Sequence, residues 1–148
     1  MAAIRSRRVR YGIVGAGWIS QFALMPAVAH TGNSEMTALV TGDPVKEKKL
    51  GKRYGIRNTY DYGGYDEMLQ SGVVDAVYLA LPNHQHAEFA ERTLRAGVHL
   101  LLEKPMAVSV AQCERILEAQ QSSGAKLMVA YRLHHEPNTQ EWRRIVKE

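Results

Sequence analysis

The residues of the sequence that could most clearly take part in a reaction are those of Glu103-Lys104-Pro105, which directly follow a run of leucines. The leucines are typical of a buried strand, and Pro105 cannot donate to a sheet ladder, so the strand is predicted to end here. In one interpretation, Glu103 and Lys104 are solvated residues at a strand end. In the other, Lys104 lies at the carboxyl edge of a sheet, where open α/β folds bind their ligands.

A glycine-rich turn lies near the start of the chain, in "GIVGAGWIS" at residues 12–20. Gly15 and Gly17 match the first two glycines of a dinucleotide-binding fingerprint, and Ser20 stands where a third glycine or alanine is usual. The first glycine permits a tight turn, and the second lets the backbone approach a pyrophosphate at a helix N-terminus. Because the turn follows an apolar strand and opens a helix, it predicts nucleotide binding over a plain structural turn.

The end of the second predicted strand reads "LVTGDPVKEKK" and bears on the choice of cofactor. An NAD site usually has an acidic residue here, which bonds the ribose 2′-hydroxyl. Thr41 and Gly42 instead leave room for a 2′-phosphate, and Lys46 supplies positive charge. This pattern favours NADP, with NAD as the lesser alternative. Asp43 complicates the interpretation because a small loop shift would turn it towards the ribose, and the lysines would also suit a solvated helix face.

Short apolar runs alternate with helical patterns along the whole chain. Strands are predicted in "VRYGIVG", "EMTALVTG", "NTYD", "DAVYLALP", "VHLLLEKP" and "KLMVAYRLH". The helix in "ISQFALMPAVAH" is predicted to be kinked or broken by Pro26. Strict alternation indicates an α/β fold with a doubly wound parallel sheet, the Rossmann dinucleotide-binding architecture. The length of 148 residues suits one such domain over residues 1–148.

Composition excludes several other functions. Lys and Arg total 19 against 15 for Asp and Glu, but much of the excess lies at residues 5–10, and no basic stripe is interleaved with aromatics. Nucleic-acid binding is therefore not indicated. The single cysteine, Cys113, rules out an internal disulfide and is expected to be a buried or half-buried thiol. No membrane span is present, so a cytoplasmic location is expected, or a periplasmic one if an export signal was removed.

The chain resembles the N-terminal domain of the glucose–fructose oxidoreductase, inositol dehydrogenase and rhizopine-catabolism family, and most of all the glucose–fructose oxidoreductase branch. The resemblance is carried by "GIVGAGWIS", "DAVYLALPNHQHAEFAERTLRAGVHLLLEKPMAVSVAQC" and "KLMVAYRLHHEP". The paired "PN..H" and "EKP" motifs are more specific than the glycine motif.

The resemblance implies roles for individual residues. Lys104 would be the catalytic residue, pointing at the substrate beside the nicotinamide, and Glu103 would contact the nicotinamide ribose. A cis peptide is implied before Pro105. Trp18 would either lie against the cofactor or pack on the surface. The implied cofactor-binding residues are Gly15, Gly17, Trp18, Ile19, Thr41, Gly42, Lys46, Leu81, Pro82, Asn83, His86, Glu103, Lys104 and Arg132.

The histidine pairs His84 with His86 and His134 with His135 raise the question of a metal site. No cysteine or acidic residue is spaced with them as a ligand set, so no metal is predicted.

Relatives in this family run well beyond this length, with a second domain that carries most of the substrate pocket. The chain is therefore expected to be a cofactor domain that lacks the substrate domain. Its predicted function is to bind NADP for hydride transfer between nicotinamide and a sugar or polyol. The alternative is a non-catalytic nucleotide-binding or redox-sensing module. Self-association into a homo-oligomer is also expected, through the apolar residues of the final helix or the uncovered edge of the sheet. The competing interpretation is a monomer in which the final helix folds back on its own sheet.

Overall fold

The computed structural model of the chain describes residues 8–147, so residues 5–7 of the basic segment lie outside the described part. The strands are β1 (Val9–Val14), β2 (Ser34–Val40), β3 (Asn58–Tyr60), β4 (Ala76–Leu79), β5 (His99–Leu102) and β6 (Leu127–Val129). The helices are α1 (Met25–Thr31), α2 (Pro44–Tyr54), α3 (Tyr65–Gln70), α4 (His86–Arg95), α5 (Val110–Ser123) and α6 (Pro137–Lys147).

The strands form one 6-stranded sheet in the order β3-β2-β1-β4-β5-β6, with every neighbouring pair parallel. This is the strand order of a doubly wound dinucleotide-binding fold, and it confirms the predicted fold class. Strand order reverses direction between β1 and β4, which lie side by side. Ligands of such sheets bind in the crevice outside the carboxyl ends at this reversal.

Two separate cores cover the two faces of the sheet. Successive strand residues point to opposite faces, so Tyr78 joins one core and Leu79 the other. The core that contains Leu79 includes side chains from α3, α4 and α5, and the core that contains Tyr78 includes Met25 of α1 and Leu50 of α2. Every residue of β4 is buried, as its apolar sequence predicts for a strand covered on both faces.

The helix that contains Pro26 is distorted without being broken. Residues Ser20–Leu24 form a π-helical turn, and α1 continues directly from Met25. Proline has no N–H to donate to the carbonyl four residues earlier, and the wider turn accommodates that loss. The disturbance predicted at Pro26 is therefore a widened turn on its N-terminal side.

The sixth strand is shorter than predicted. Ala130 N donates to Leu102 O at 2.8 Å, and Tyr131 N then donates back to Val129 O at 2.8 Å. This tight turn leads into a 3₁₀ helix at Arg132–His135. Arg132 therefore lies beyond the strand and not at its end, which corrects the predicted boundary.

Two further expectations concern the described residues. Cys113 is half-buried with a free thiol, as predicted. Within residues 8–147, no helix combines the length and the apolar character needed to cross a bilayer.

An ion pair between Arg10 and Asp75 lies at the amino ends of β1 and β4, opposite the carboxyl edge of the sheet. Arg10 Nε donates to Asp75 Oδ2 at 3.0 Å and its Nη2 to Oδ1 at 2.7 Å, while the Arg10 amide also donates to Oδ2 at 3.0 Å. Both side chains are about three-quarters buried. The Asp75 carboxylate, directly before β4, is therefore linked to β1.

Asp75→Asn is expected to lower the free energy of unfolding by about 1–2 kcal/mol, because paired and partly buried hydrogen bonds to a charge are lost. Urea denaturation measures the change. Glu88→Gln, which removes a largely exposed partner of Arg92, is the matched control and should cost about 0.5 kcal/mol or less. Equal losses in both variants would contradict the structural role given to Asp75.

Candidate functional site

The glycine turn lies directly against the end of β4. Gly15 has a positive φ of 92°, and a Cβ placed on it would lie 2.4 Å from the backbone oxygen of Ala80. A Cβ on Gly17 would meet nothing within 4 Å. The fold therefore requires glycine at position 15, whereas Gly17 leaves open space in front of the helix that follows. That is the arrangement in which a backbone can approach a phosphate.

Ser20 fills the third position of the fingerprint. Its side chain is fully buried, and its Oγ donates to the carbonyl oxygen of Gly15 at 2.6 Å. The hydroxyl therefore closes the turn on itself, and its burial leaves no unsatisfied polar group. Serine is small enough to keep the helix close to the sheet, so this departure from the usual motif is compatible with its geometry.

The two residues after Gly17 are exposed. Trp18 is 72% exposed and lies against Phe22, with ring centroids 5.6 Å apart, and Ile19 is 38% exposed. Of the two alternatives for Trp18, the structure has the tryptophan on the surface beside the turn. Its contact with a cofactor stays a prediction.

Asp43 is held by the start of α2. Its Oδ1 accepts from the amides of Val45 and Lys46, both at 3.0 Å, and Lys46 Nζ lies 3.3 Å from Oδ2. The hydrogen bond from the Lys46 amide is the largest cause that lowers the pKa of Asp43 below its ordinary value. The carboxylate therefore serves as the helix cap, and turning it towards a ribose would remove that cap.

Thr41 and Gly42 directly follow the end of β2, and Lys46 lies in the first turn of α2. Thr41 is buried, and its Oγ1 accepts from the amide of Asp43 at 3.2 Å. Sequence analysis missed Tyr62, whose ring lies 3.3 Å from where a Cβ on Gly42 would be. Burial raises the pKa of the Tyr62 phenol, while the nearby Lys46 charge opposes the shift. Its place in a loop after β3 gave no recognisable motif.

The segments after β4 and β5 are joined by His86. The imidazole is 1% exposed, with Nδ1 at 2.7 Å from Pro105 O and Nε2 at 2.9 Å from Leu81 O. Leu81 is also buried, whereas Pro82 and Asn83 begin the 3₁₀ turn at the surface. His86 therefore lies between two loops, with each ring nitrogen at hydrogen-bond distance from one carbonyl oxygen, and a nitrogen that carries a proton donates to the oxygen that it faces.

Glu103 and Lys104 continue the edge of the sheet past β5. Glu103 N donates to Leu79 O at 2.9 Å, which extends the pairing of β4 and β5 by one bond. Lys104 is exposed, and the peptide bond between Lys104 and Pro105 is cis, as the resemblance implies. Lys104 therefore lies at the carboxyl edge, which supports the second interpretation of the charged segment.

Most predicted site residues thus lie at one edge of the sheet, since the carboxyl ends of parallel strands meet there. Arg132 is the outlying member, because its 3₁₀ helix follows β6 and both β4 and β5 separate it from β1. Across residues 8–147, no three His, Cys, Asp or Glu side chains are grouped to hold a metal ion.

Comparisons with known proteins agree with this geometry. The profile of the family described as "Oxidoreductase family, NAD-binding Rossmann fold" matches residues 9–131. The chain is 34% identical to dTDP-3,4-didehydro-2,6-dideoxy-α-D-glucose 3-reductase of Streptomyces violaceoruber over 90% of its length. It is 30% identical over 95% of its length to a D-xylose 1-dehydrogenase [NADP(+)] of Haloarcula marismortui.

A solved structure is similar to nearly the whole chain. The aldose–aldose oxidoreductase of Caulobacter crescentus, complexed with glycerol, superposes with a TM-score of 0.91 at 38% identity and covers 95% of the chain. The chain matches 38% of the Streptomyces reductase, 39% of the Haloarcula dehydrogenase and 43% of the Caulobacter chain. It therefore spans about two fifths of the length of these relatives.

The two turn glycines are expected to respond oppositely to an added methyl group. Gly15→Ala should lower the free energy of unfolding by about 3 kcal/mol or more, because the methyl meets Ala80 O in a left-handed backbone conformation. Gly17→Ala should change it by no more than about 0.5 kcal/mol, since its methyl points into open space. Urea denaturation of both variants gives the comparison, and a Gly15→Ala protein as stable as wild type would contradict the described turn.

Proposed function

The chain belongs to the oxidoreductase family with an NAD-binding Rossmann fold, and on that premise we propose that it binds NADP along the carboxyl edge of its sheet. The bound cofactor would serve hydride transfer between its nicotinamide and a hydroxyl-bearing carbon of a sugar or polyol. The observation that carries the proposal is the contact of the Gly15 turn with Ala80. This contact supports the proposal because it holds the glycine turn beside the end of β4, next to the end of β5 that Glu103 and Lys104 follow.

The preference for NADP is supported by three features at the end of β2. Asp43 is engaged as the cap of α2, so the acidic residue nearest the ribose position is already paired. Lys46 lies in the first turn of the same helix, with its ammonium group 3.3 Å from Asp43 Oδ2 and near Tyr62. A 2′-phosphate placed there would gain charge-assisted hydrogen bonds from Lys46. The Haloarcula relative is NADP-dependent by name, which agrees with this assignment.

The chemistry assigned to this edge is the oxidation of a carbinol or the reduction of a carbonyl. When bound, the nicotinamide accepts or supplies the hydride. Lys104 would hydrogen-bond the reacting oxygen: in the direction of reduction its ammonium group would donate a proton to that oxygen as the hydride reaches the carbonyl carbon, and in the direction of oxidation its neutral amine would take the hydroxyl proton as the hydride leaves. Glu103 accepts hydrogen bonds from the nicotinamide ribose and so holds the ring over the strand ends. The proposed substrate class, a sugar or polyol, is supported by the relatives that act on sugars.

Direct titration tests the cofactor assignment. Wild-type protein is expected to bind NADPH more tightly than NADH in isothermal calorimetry. Lys46→Ala should weaken NADPH binding by about 1.5–3 kcal/mol, the range for a charge-assisted hydrogen bond, and leave NADH binding unchanged.

Lys48→Ala is the matched control, because this lysine is also exposed on α2 but lies away from Asp43 and Tyr62 in the helical repeat. Equal affinity of the wild type for both cofactors, unaltered by Lys46→Ala, would contradict the NADP assignment. Loss of NADPH affinity in Lys48→Ala to the same extent would show that general positive charge is responsible.

Self-association stays a prediction, and α6 is its proposed surface. Trp142, Ile145 and Val146 are 63%, 57% and 63% exposed at helical i, i+3 and i+4 spacing. Sedimentation should show a concentration-dependent dimer or higher oligomer, and Trp142→Glu should abolish it. Gln140→Glu adds the same charge on this helix and should leave association intact. A wild type that sediments as a monomer at every concentration would rule this surface out.

A further inference from the structure

Tyr78 is a buried polar residue that the roles described so far leave unexplained. It lies in the middle of β4, is 2% exposed, and belongs to the core on the side of α1 and α2. Its strand partner is Leu101, and Glu103 lies two residues further along the chain, directly after the end of β5. Because side chains alternate along a strand, Leu101 and Glu103 project to the same face as Tyr78.

The Tyr78 hydroxyl reaches Glu103 along that face. It donates to Glu103 Oε1 at 2.8 Å, and the other carboxylate oxygen, Oε2, accepts from the amide of Lys104 at 3.2 Å. The Glu103 backbone is held at the same time by its bond to Leu79 O. Both oxygens of the carboxylate are therefore fixed from inside the protein, and its free lone pairs remain at the edge of the sheet.

The environment of the Tyr78 hydroxyl determines which group donates in this hydrogen bond. Burial raises the pKa of the Tyr78 phenol far above its ordinary value, and the bond to the Glu103 carboxylate raises it further. The hydroxyl consequently stays protonated and acts as donor, while the carboxylate acts as acceptor. A buried hydroxyl without such a partner would be costly, so the tyrosine and the glutamate constrain each other.

We propose that Tyr78 is a positioning residue that holds the Glu103 carboxylate in the orientation needed to bind the ribose on the nicotinamide side of the cofactor. The inference rests on the proposed function, because it explains how Glu103, which that function assigns to the nicotinamide ribose, is held in its orientation. Tyr78 acts only through Glu103, because its own side chain is covered by the core and has no surface from which to touch a ligand. Its hydroxyl pre-orients one carboxylate before the cofactor arrives.

Tyr78→Phe removes the hydroxyl and keeps the ring, so it separates positioning from packing. NADPH affinity is expected to fall about tenfold, the effect of losing one hydrogen bond to a charged group. Affinity for 2′,5′-ADP should be unchanged, because this fragment carries the adenosine and its phosphates but no nicotinamide ribose. Calorimetric titration with both ligands measures the difference, and a role in packing alone would not separate them.

A double-variant cycle with Glu103→Gln tests whether the two residues act together. If Tyr78 works through Glu103, Tyr78→Phe should have little further effect on NADPH binding once Glu103 is replaced. Additive losses would overturn the proposal. Tyr65→Phe is the matched control, because its hydroxyl is equally buried and hydrogen-bonded to Thr93 in the opposite core. It should lower stability and leave both ligand affinities unchanged.

The outcomes separate failure of the proposed NADP binding from failure of the role given to Tyr78. A wild type that binds no NADPH would overturn the proposed function and, with it, the role of Tyr78. A wild type that binds NADPH as tightly as Tyr78→Phe does would overturn the role of Tyr78 alone. Equal weakening of NADPH and 2′,5′-ADP by Tyr78→Phe would show that the tyrosine supports the fold generally, and would also overturn it.

Discussion

The close contact between Gly15 and the carbonyl of Ala80 is the constraint on which the rest of the site depends. The chain leaving β1 crosses the end of β4 with no room for a side chain. Gly15 N also donates to Val40 O at 3.0 Å, so the same residue is tied to the end of β2. One turn thereby brings together the ends of three strands. The turn at Gly15 is therefore the reference point for the other parts of the site, which are the open space at Gly17, the cap of α2 and the segment after β5.

The charged segment after β5 is held from both sides of the sheet. From the side of α4, His86 bridges the carbonyl oxygens of Leu81 and Pro105. From the side of α1 and α2, the Tyr78 hydroxyl holds the Glu103 carboxylate. Two buried polar side chains thus fix a segment whose own residues are partly exposed. This arrangement is typical of sites in which rigid elements support the groups that contact a ligand.

Much of the fold was predictable because its signals are local. Alternating apolar strands and helices indicate a parallel doubly wound sheet, and the glycine turn and the charged segment mark its carboxyl edge. The features that were missed depend either on local backbone geometry or on contacts between residues that are distant in sequence. The early end of β6 reflects a backbone turn at Tyr131 that no residue type signals. Tyr78 and Tyr62 read as ordinary strand and loop tyrosines, and their neighbours Glu103 and Gly42 are known only from the folded structure.

In the proposed function, a nicotinamide dinucleotide binds along the carboxyl edge, from the glycine turn to the charged segment after β5. Amide chemical-shift mapping by NMR, with NADP⁺ titrated into the wild-type chain, tests it most directly. Chemical-shift changes are expected at residues 15–20, 41–46, 80–83 and 103–105. The exposed residues of α4 and α5, which form the α4–α5 surface, should show none. Binding without shifts at the glycine turn, or shifts confined to α6 or to the α4–α5 surface, would contradict it.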